Sequence, residues 1–138
     1  MLNIPNIKKA RCFLVYATAP QHLSAPEANA KINEYTADEK RGIALFHDHF
    51  IGQFGGVILL FVSTEAQRAA LQNLGSLEGW DVKIHPLVYA NSPAAFDEQI
   101  AYTLRAYHGQ NWDQLQQEAR PHFGDAQLEA NTGIESEE

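Results

Sequence analysis

The sequence predicts a single α+β domain built around a four-stranded antiparallel sheet. Three observations support this prediction. Candidate strands and helices follow one another in the order β-α-β-β-α-β, the first and third strands are apolar on both faces, and the second and fourth alternate apolar with polar side chains. The chain has 138 residues, of which 45% are hydrophobic, and this is enough to build one core.

The first strand and the first helix open this unit. Residues 12–17 are apolar at both odd and even positions, which is typical of a strand that is covered on both faces. Ser24 and Glu27 have the spacing of a capping box, and Pro26 falls in the first turn, where its missing N–H costs little. We therefore expect a helix that begins after Ser24 and runs to about Lys40.

A hairpin follows the first helix. Residues 43–51 predict a strand with a polar centre, residues 52–56 contain three glycines and predict a tight turn, and residues 57–62 predict a second apolar strand. The glycines are expected to supply the positive φ angles of the turn. Alternation divides the strand over 43–51 into two faces, which carry Leu45, His47, His49 and Ile51 on one side and Phe46, Asp48 and Phe50 on the other.

A second helix and a last strand complete the unit. Ser63 or Thr64 is expected to cap a helix whose apolar side chains repeat as far as Leu74. Residues 80–85 alternate apolar and polar side chains, and Pro86 limits pairing beyond them, so this strand is expected at an edge. The order β-α-β-β-α-β is that of the ferredoxin-like fold, whose first and third strands lie in the middle of the sheet. Their continuous apolar pattern agrees with that position.

The chain divides into four segments. They are a leader over residues 1–10, the ferredoxin-like core over 11–90, a C-terminal helical extension over 91–123 and an acidic disordered tail over 124–138. In the extension, Ser92 and Pro93 open a helix that Gly109 closes, and Asn111 is expected to cap a shorter helix that ends before Pro121.

The composition excludes several classes of function. The formal net charge is −7 and the ten Lys and Arg residues are scattered, so the chain lacks the basic stripe that a nucleic acid needs. The longest apolar run, residues 57–62, is far too short to cross a membrane. The single cysteine, Cys12, rules out an intrachain disulfide, and residues 1–11 lack the apolar core of a signal peptide. We therefore expect a cytoplasmic protein that binds neither nucleic acid nor membrane.

The sharpest candidate for chemistry is the sequence Phe-His-Asp-His-Phe at residues 46–50. On a strand, His47 and His49 project from the same face, with their backbones about 6.5 to 7 Å apart. They could act as general acid and base, could share a metal ion with His85 or His22, or could simply face water or a partner. We take His47 and His49 as the candidate catalytic residues and assign no metal.

Three more residues are candidates for binding a ligand. Asp48 points away from the two histidines and needs a partner if it is buried. Tyr16 could orient a ligand carbonyl, or it could be a core tyrosine whose hydroxyl reaches the surface. His85 lies at an exposed position of the last strand, where it could either bind a ligand or simply contact solvent. The glycines of residues 52–56 match neither a P-loop nor a dinucleotide fingerprint, and no Gly-x-Ser-x-Gly is present, so no bound organic cofactor is expected.

The segment from Gly42 to Pro86 resembles the YCII-related proteins of the dimeric α+β barrel superfamily. The shared features are the glycine before the second strand, the hairpin Gly55-Gly56, the helix start Ser63-Thr64-Glu65-Ala66 and the strand end Lys83-Ile84-His85-Pro86. The first helix has no histidine and no Asp-Pro follows the second helix, so no active-site residue is carried over from that family.

The resemblance implies a homodimer in which two sheets pack face to face. A sheet with helices on one side leaves its other side open. A large exposed apolar patch usually marks an interface, although the C-terminal helix could also cover this side of the sheet.

Two hypotheses for function follow. The first is a small-molecule enzyme or ligand-binding protein in which His47 or His49 is the general acid or base, with isomerase, lyase or cofactor-free oxygenase chemistry. The second is a non-catalytic interaction or regulatory module that uses the open sheet face.

Overall fold

The structure, a computed structural model, describes residues 2–5, 10–88 and 90–118, and these form one antiparallel sheet with helices packed against it. Within them the elements follow one another as β1 (Cys12–Thr18), α1 (Ala25–Ala37), β2 (Ile43–His49), β3 (Gly55–Phe61), α2 (Glu65–Ala70), β4 (Asp81–Pro86), α3 (Pro93–His108) and α4 (Trp112–Glu118). The predicted α+β class is confirmed. The predicted disordered tail over 124–138 and the predicted helix end at Pro121 lie outside the described residues.

The strands lie in the order β2-β3-β1-β4, and each neighbouring pair is antiparallel. β1 and β3 therefore occupy the middle of the sheet and β2 and β4 its edges, as the hydrophobic pattern predicted. In the register of the sheet, Leu14 of β1 lies between Leu59 of β3 and His85 of β4. Val82 and Ile84 of β4 are buried while their neighbours are exposed, which confirms the predicted alternation.

α1 and the segment around α2 cover one side of the sheet, which we call the helix face. The predicted capping box is present: the Ser24 hydroxyl accepts a hydrogen bond from the Glu27 N–H (3.3 Å), and the Glu27 carboxylate accepts one from the Ser24 N–H (2.9 Å). α1 then buries Ile32 and Tyr35 against the strands. The strand side chains in this core are Phe13, Val15, Ala17, Ile58, Leu60, Val82 and Ile84.

α2 is shorter than predicted, because it ends at Ala70 although the apolar repeat continues to Leu74. It is capped by Thr64, whose hydroxyl accepts a hydrogen bond from the N–H of Gln67 (3.1 Å). The side-chain oxygen of Asn73 accepts a hydrogen bond from the N–H of Gly75 (2.9 Å), and such a local turn competes with helix. The chain therefore leaves the helix one turn early.

β2 ends at His49, earlier than predicted, and carries a β-bulge that changes which residues share a face. Its register against β3 shifts between Ala44 and Phe46, which leaves Leu45 as the extra residue. Ala44 packs against the helix-face core, whereas Leu45 packs on the opposite side of the sheet. The expectation that Leu45 shares a face with His47 and His49 was wrong, because the bulge shifts the alternation by one residue.

The side of the sheet opposite α1 and α2, which we call the open face, is only half covered. At one end, Cys12, Leu59 and Ala90 are buried together, and Phe96 of α3 packs against them. Toward the other end, Tyr16 has 42% of its surface exposed. β1 was expected to be covered on both faces, but α3 covers its Cys12 end and leaves its Tyr16 end accessible.

α3 and α4 form the predicted extension, with the expected caps. The Ser92 hydroxyl accepts a hydrogen bond from the Ala95 N–H (3.1 Å), Gly109 closes α3 at a φ of 60°, and the Asn111 side chain accepts a hydrogen bond from the Gln114 N–H (3.1 Å). None of the described residues of α3 and α4 is fully buried. Among the helices of residues 2–5, 10–88 and 90–118, none has both the length and the hydropathy of a membrane span.

Candidate functional site

His47 and His49 lie together on the helix face of the edge strand β2. His47 is opposite Ile58 of β3 and His49 is opposite Gly56, so both rings project toward α1. The ring centroids are 5.4 Å apart and the rings are nearly perpendicular, at 77°. The sequence prediction that the two imidazoles share one side of a strand therefore holds in the structure.

His49 is partly buried, and its ring contacts α1. Its Nε2 lies 3.2 Å from the side-chain oxygen of Asn33, while its Nδ1 is shielded and has no hydrogen-bond partner among the described residues. With the Asn33 oxygen as acceptor, the proton resides on Nε2 and Nδ1 keeps its lone pair. Burial lowers the pKa of His49, the charge of His47 lowers it further, and Asp48 opposes the shift. The ring is therefore neutral near pH 7.

A metal site at this pair lacks further ligands in the described part of the chain. No group of three or more His, Cys, Asp or Glu side chains comes together there. His85, a candidate third ligand, lies on β4 opposite Leu14, which places it on the open face at the other edge of the sheet. His22 is exposed in the segment before α1.

The structure separates the candidate residues onto two sides of the sheet. Tyr16, Asp48 and His85 lie on the open face, whereas His47 and His49 lie on the helix face. The five side chains therefore do not line one site within a single chain.

On the open face the candidate residues surround an apolar centre. The register aligns Asp48, Val57, Tyr16 and Lys83 in one row across the four strands. The next row contains Phe46, Leu59, Leu14 and His85. The charged side chains and the histidine of these two rows thus lie on the edge strands, and the two middle strands contribute aliphatic and aromatic side chains.

Aromatic and aliphatic side chains on this face are unusually exposed. Tyr16 packs its ring 5.1 Å from that of Phe50, yet 42% of its surface remains accessible. Phe46 is 47% exposed and Ile43 is 51% exposed. Several large apolar side chains exposed on one face of a sheet are typical of an interaction site.

An apolar groove lies beside the open face, between α3 and the segment that follows β4. It encloses about 430 Å³ and is lined by Leu87, Val88, Ala90, Phe96, Gln99, Ile100, Thr103 and Leu104. Val88 is 80% exposed. Three other cavities with described linings lie along α3 and beside residues 52–54, and neither His47 nor His49 lines any of the four.

No protein family, no curated protein and no solved structure matches this chain. The resemblance of the segment from Gly42 to Pro86 to the YCII-related proteins therefore stays a prediction.

Sequence reasoning missed two residues that matter for these surfaces. Asn33 holds His49 across the contact between α1 and β2, and its position in the helix carries no motif that would reveal the contact. Lys83 joins the open face through the register of β4 against Tyr16. The alternation of β4 indicated that Lys83 is exposed, but it did not indicate which side chains lie beside it.

Proposed function

We propose that the protein is an interaction module whose binding surface is the open face, and that its assembled form is a homodimer. The observation that carries this proposal is the exposed apolar surface around Tyr16, Ile43 and Phe46 on a sheet whose other face packs an apolar core. The predicted cytoplasmic location and the resemblance to dimeric α+β barrels agree with this function, and both stay predictions.

The size of the apolar surface makes association favourable. Covering on the order of 600 Å² per protomer at about 25 cal/mol per Å² gives roughly 15 kcal/mol before the costs of association. Those costs take about 4 to 15 kcal/mol, so a stable complex requires good packing at the aromatic side chains. Phe46 is well placed for such a contact because it stands at the bulge of β2 and nearly half of its surface is free.

Replacing Phe46 with lysine tests this proposal. We expect the dissociation constant of the dimer to rise at least about 100-fold, because the change removes an aromatic contact and buries a charge. Sedimentation velocity over a range of concentrations measures this effect. Ala30→Lys is the matched control, since it adds the same charge at an exposed position of α1 and should leave the dimer intact.

Two outcomes would contradict the proposal. One is a wild-type chain that remains monomeric at about 0.1 mM, a concentration at which even weak homodimers form. The other is a Phe46→Lys variant that keeps the dissociation constant of the wild type while circular dichroism shows that it is folded.

A second candidate function is small-molecule binding at His47 and His49, and the geometry of His49 favours it. A neutral ring with its proton on Nε2, held by Asn33, keeps a lone pair on the buried Nδ1, and a ligand that donates a hydrogen bond to this nitrogen must displace the packing that shields it. A small cyclic or carbonyl-bearing compound that donates a hydrogen bond is the class of ligand that suits this group.

The double variant His47→Gln/His49→Gln tests this second candidate, with small cyclic carbonyl compounds that carry an N–H or O–H group as probes and the NMR signals of the probe as readout. Binding should be constant above the ordinary histidine pKa and should weaken as the pH falls through the lowered pKa of His49, because protonation removes the acceptor. The double variant should bind no probe and keep its fold. Probe binding that survives both substitutions would rule out the histidine site, and His22→Gln is the control at an exposed histidine.

A further inference from the structure

One side of α3 lines a cavity along most of the helix. Five residues have the spacing i, i+3, i+4, i+7 and i+8, which places them on a single side of the helix. All five line the groove of about 430 Å³ between α3 and the segment that follows β4. In an ordinary core such a stripe packs against a neighbouring element, whereas here most of it borders a concave space. The five residues are Phe96, Gln99, Ile100, Thr103 and Leu104.

The opposite wall of the groove is the short segment between β4 and α3, and hydrogen bonds hold both of its ends. At one end the Leu87 N–H donates a hydrogen bond to the Cys12 carbonyl (2.9 Å). At the other end the Ser92 hydroxyl accepts one from the Ala95 N–H (3.1 Å) in the first turn of α3. Val88, between these two points, is 80% exposed. Because both ends of the segment are fixed, the groove is preformed, as ligand sites usually are.

The groove rests on a buried apolar cluster of the open face. Ala90 and Phe96 line the groove and also pack with this cluster, which contains Cys12 and Leu59. Burial raises the pKa of the Cys12 thiol, so the single thiol of the chain is protonated and uncharged at neutral pH. The base of the groove is therefore apolar and without charge.

The lining of the groove is suited to a neutral ligand. Among the described lining residues none is charged, and only Gln99 and Thr103 have polar side chains, both on the same side of α3. A charge buried against such a surface loses its hydration and gains no ion pair, which is costly. The formal net charge of −7 adds a general repulsion of anions. The groove therefore favours an uncharged molecule that is mostly apolar.

The size of the groove fits a small molecule better than a protein partner. Its eight described lining residues are far fewer than the roughly 20 to 30 residues that each partner contributes to a stable protein interface. Its volume, in contrast, lies within the range of about 300 to 1,000 Å³ in which small-molecule pockets fall.

We propose that this groove binds a neutral amphiphile, a compound with an apolar body and one uncharged hydroxyl or carbonyl group. The apolar body lies between Val88 and the aliphatic side chains of Ile100 and Leu104. The polar group meets Gln99 and Thr103. Apolar contacts supply most of the affinity, and the two polar side chains fix the orientation. The site is separate from the exposed aromatic surface of the open face and from the two histidines, so it does not depend on the proposed function.

N-phenylnaphthylamine, a neutral aromatic amine that fluoresces in apolar surroundings, is the probe that tests this site. We expect the wild-type chain to bind it saturably, with a Kd below about 100 μM. Ile100→Glu should raise this Kd at least about tenfold, because it places an unpaired charge against the apolar body. Ala94→Glu is the matched control, since it adds the same charge at an exposed position of the same helix and should leave the Kd unchanged.

Three competitors with the same alkyl chain test the class of ligand. Octanol should displace the probe, whereas octanoate and octylammonium should need at least about tenfold higher concentrations, because their charges find no partner among the described lining residues. The double variant Gln99→Leu/Thr103→Val should weaken octanol at least about threefold relative to the probe, since it removes the groups that meet the hydroxyl. Equal displacement by the three competitors would overturn the neutral class, and an unchanged ratio in the double variant would overturn the role of the two polar side chains.

The thiol of Cys12 gives a second readout that does not rely on fluorescence. Cys12 is fully buried, so a thiol reagent such as dithionitrobenzoate reaches it only when the structure opens. A ligand in the groove stabilises the closed state by mass action, so octanol at about ten times its Kd should slow the labelling about tenfold. In Ile100→Glu the same concentration should slow it about twofold at most. A labelling rate that octanol does not change would overturn the proposal.

The remaining outcomes separate this site from the two candidate functions. Probe binding that survives in a folded Ile100→Glu variant, or a wild-type chain that binds no probe, overturns the groove as a ligand site. Phe46→Lys and the double variant His47→Gln/His49→Gln should both bind the probe as the wild type does, even if they abolish the functions proposed above. A Kd for the probe that rises with protein concentration would show that a second copy of the chain occupies the groove, which also overturns the proposal.

Discussion

Replacing Gly55 with alanine is expected to lower the free energy of unfolding by about 3 kcal/mol. Gly55 opens β3 at a φ of 146°, where a side chain is strained by about 1 to 3 kcal/mol. An added Cβ would also meet the carbonyl oxygen of Ala17 and come within 3.0 Å of the Thr18 Cα, and both are backbone atoms of β1 that move only with the sheet. The clash adds about 1 kcal/mol or more, as overpacking does elsewhere.

Gly79→Ala is the matched control for this prediction. Gly79 also has a positive φ, of 87°, but an added Cβ there meets nothing within 4 Å. It should therefore cost only the backbone strain, about 1 kcal/mol. Urea unfolding followed by circular dichroism measures both values, provided the slope of the transition is unchanged. Equal losses for the two variants would show that the close approach of β3 to β1 is not what requires glycine at position 55.

The second large effect is expected at Arg41, a buried cation in the turn between α1 and β2. It is 1% exposed, its guanidinium lies 4.1 Å from the ring centre of Tyr35, and it donates hydrogen bonds to the Asn73 carbonyl (2.9 Å) and the Asp38 carboxylate (3.0 Å). Arg41→Ala removes these bonds and opens a cavity beside Tyr35. We expect the free energy of unfolding to fall by about 2 to 4 kcal/mol. The ion pair with Asp38 contributes only a small part of this loss, because Asp38 is partly exposed.

Two comparisons isolate the reason for that loss. Lys40→Ala, at the exposed neighbouring position, should change the free energy of unfolding by less than about 0.5 kcal/mol. Arg41→Lys keeps the charge but loses the planar guanidinium that donates to both Asn73 and Asp38. It should therefore still lower the free energy of unfolding by about 1 to 2 kcal/mol. Thermal and urea unfolding give these values. An Arg41→Lys variant as stable as the wild type would show that charge alone accounts for the role of Arg41.

Arg41 also explains why the α2 region stays in place although α2 is short. The hydrogen bond to the Asn73 carbonyl ties the turn after α2 to the turn after α1. A Cβ on Gly75 would meet the guanidinium at 3.3 Å, so this glycine leaves room for the buried arginine. Arg41 thus adds a buried cation to the apolar packing that covers the helix face of the sheet.

The two faces of the sheet separate the two candidate functions in space. Binding of a partner would use the open face with Phe46 and Tyr16, and a small molecule would meet His47 and His49 on the helix face. Because Phe46 points to the opposite side of β2 from His47 and His49, substitutions on one side can be made without touching the other. The Phe46→Lys and double-histidine experiments therefore report on independent surfaces.

Much of the fold was predictable because its signals are local. The cap at Ser24 and Glu27 satisfies amides within one turn, and the alternation around Val82 and Ile84 follows from the pleat of a single strand. The position of β1 and β3 in the middle of the sheet followed from their apolar residues at odd and even positions. Each of these inferences needed only residues that are neighbours in sequence.

The sequence by itself thus determined the element order, the central strands and the pairing of His47 with His49 on one side of β2. Only the tertiary structure decided that Leu45 forms a bulge, that Asn33 holds His49, that Arg41 is buried, and that α3 covers the Cys12 end of the open face but not the Tyr16 end. The physical reason is that hydrophobic periodicity records whether a side chain is apolar and which way its own element turns. Which other element packs against it depends on contacts between residues far apart in the chain, and no local pattern encodes those contacts.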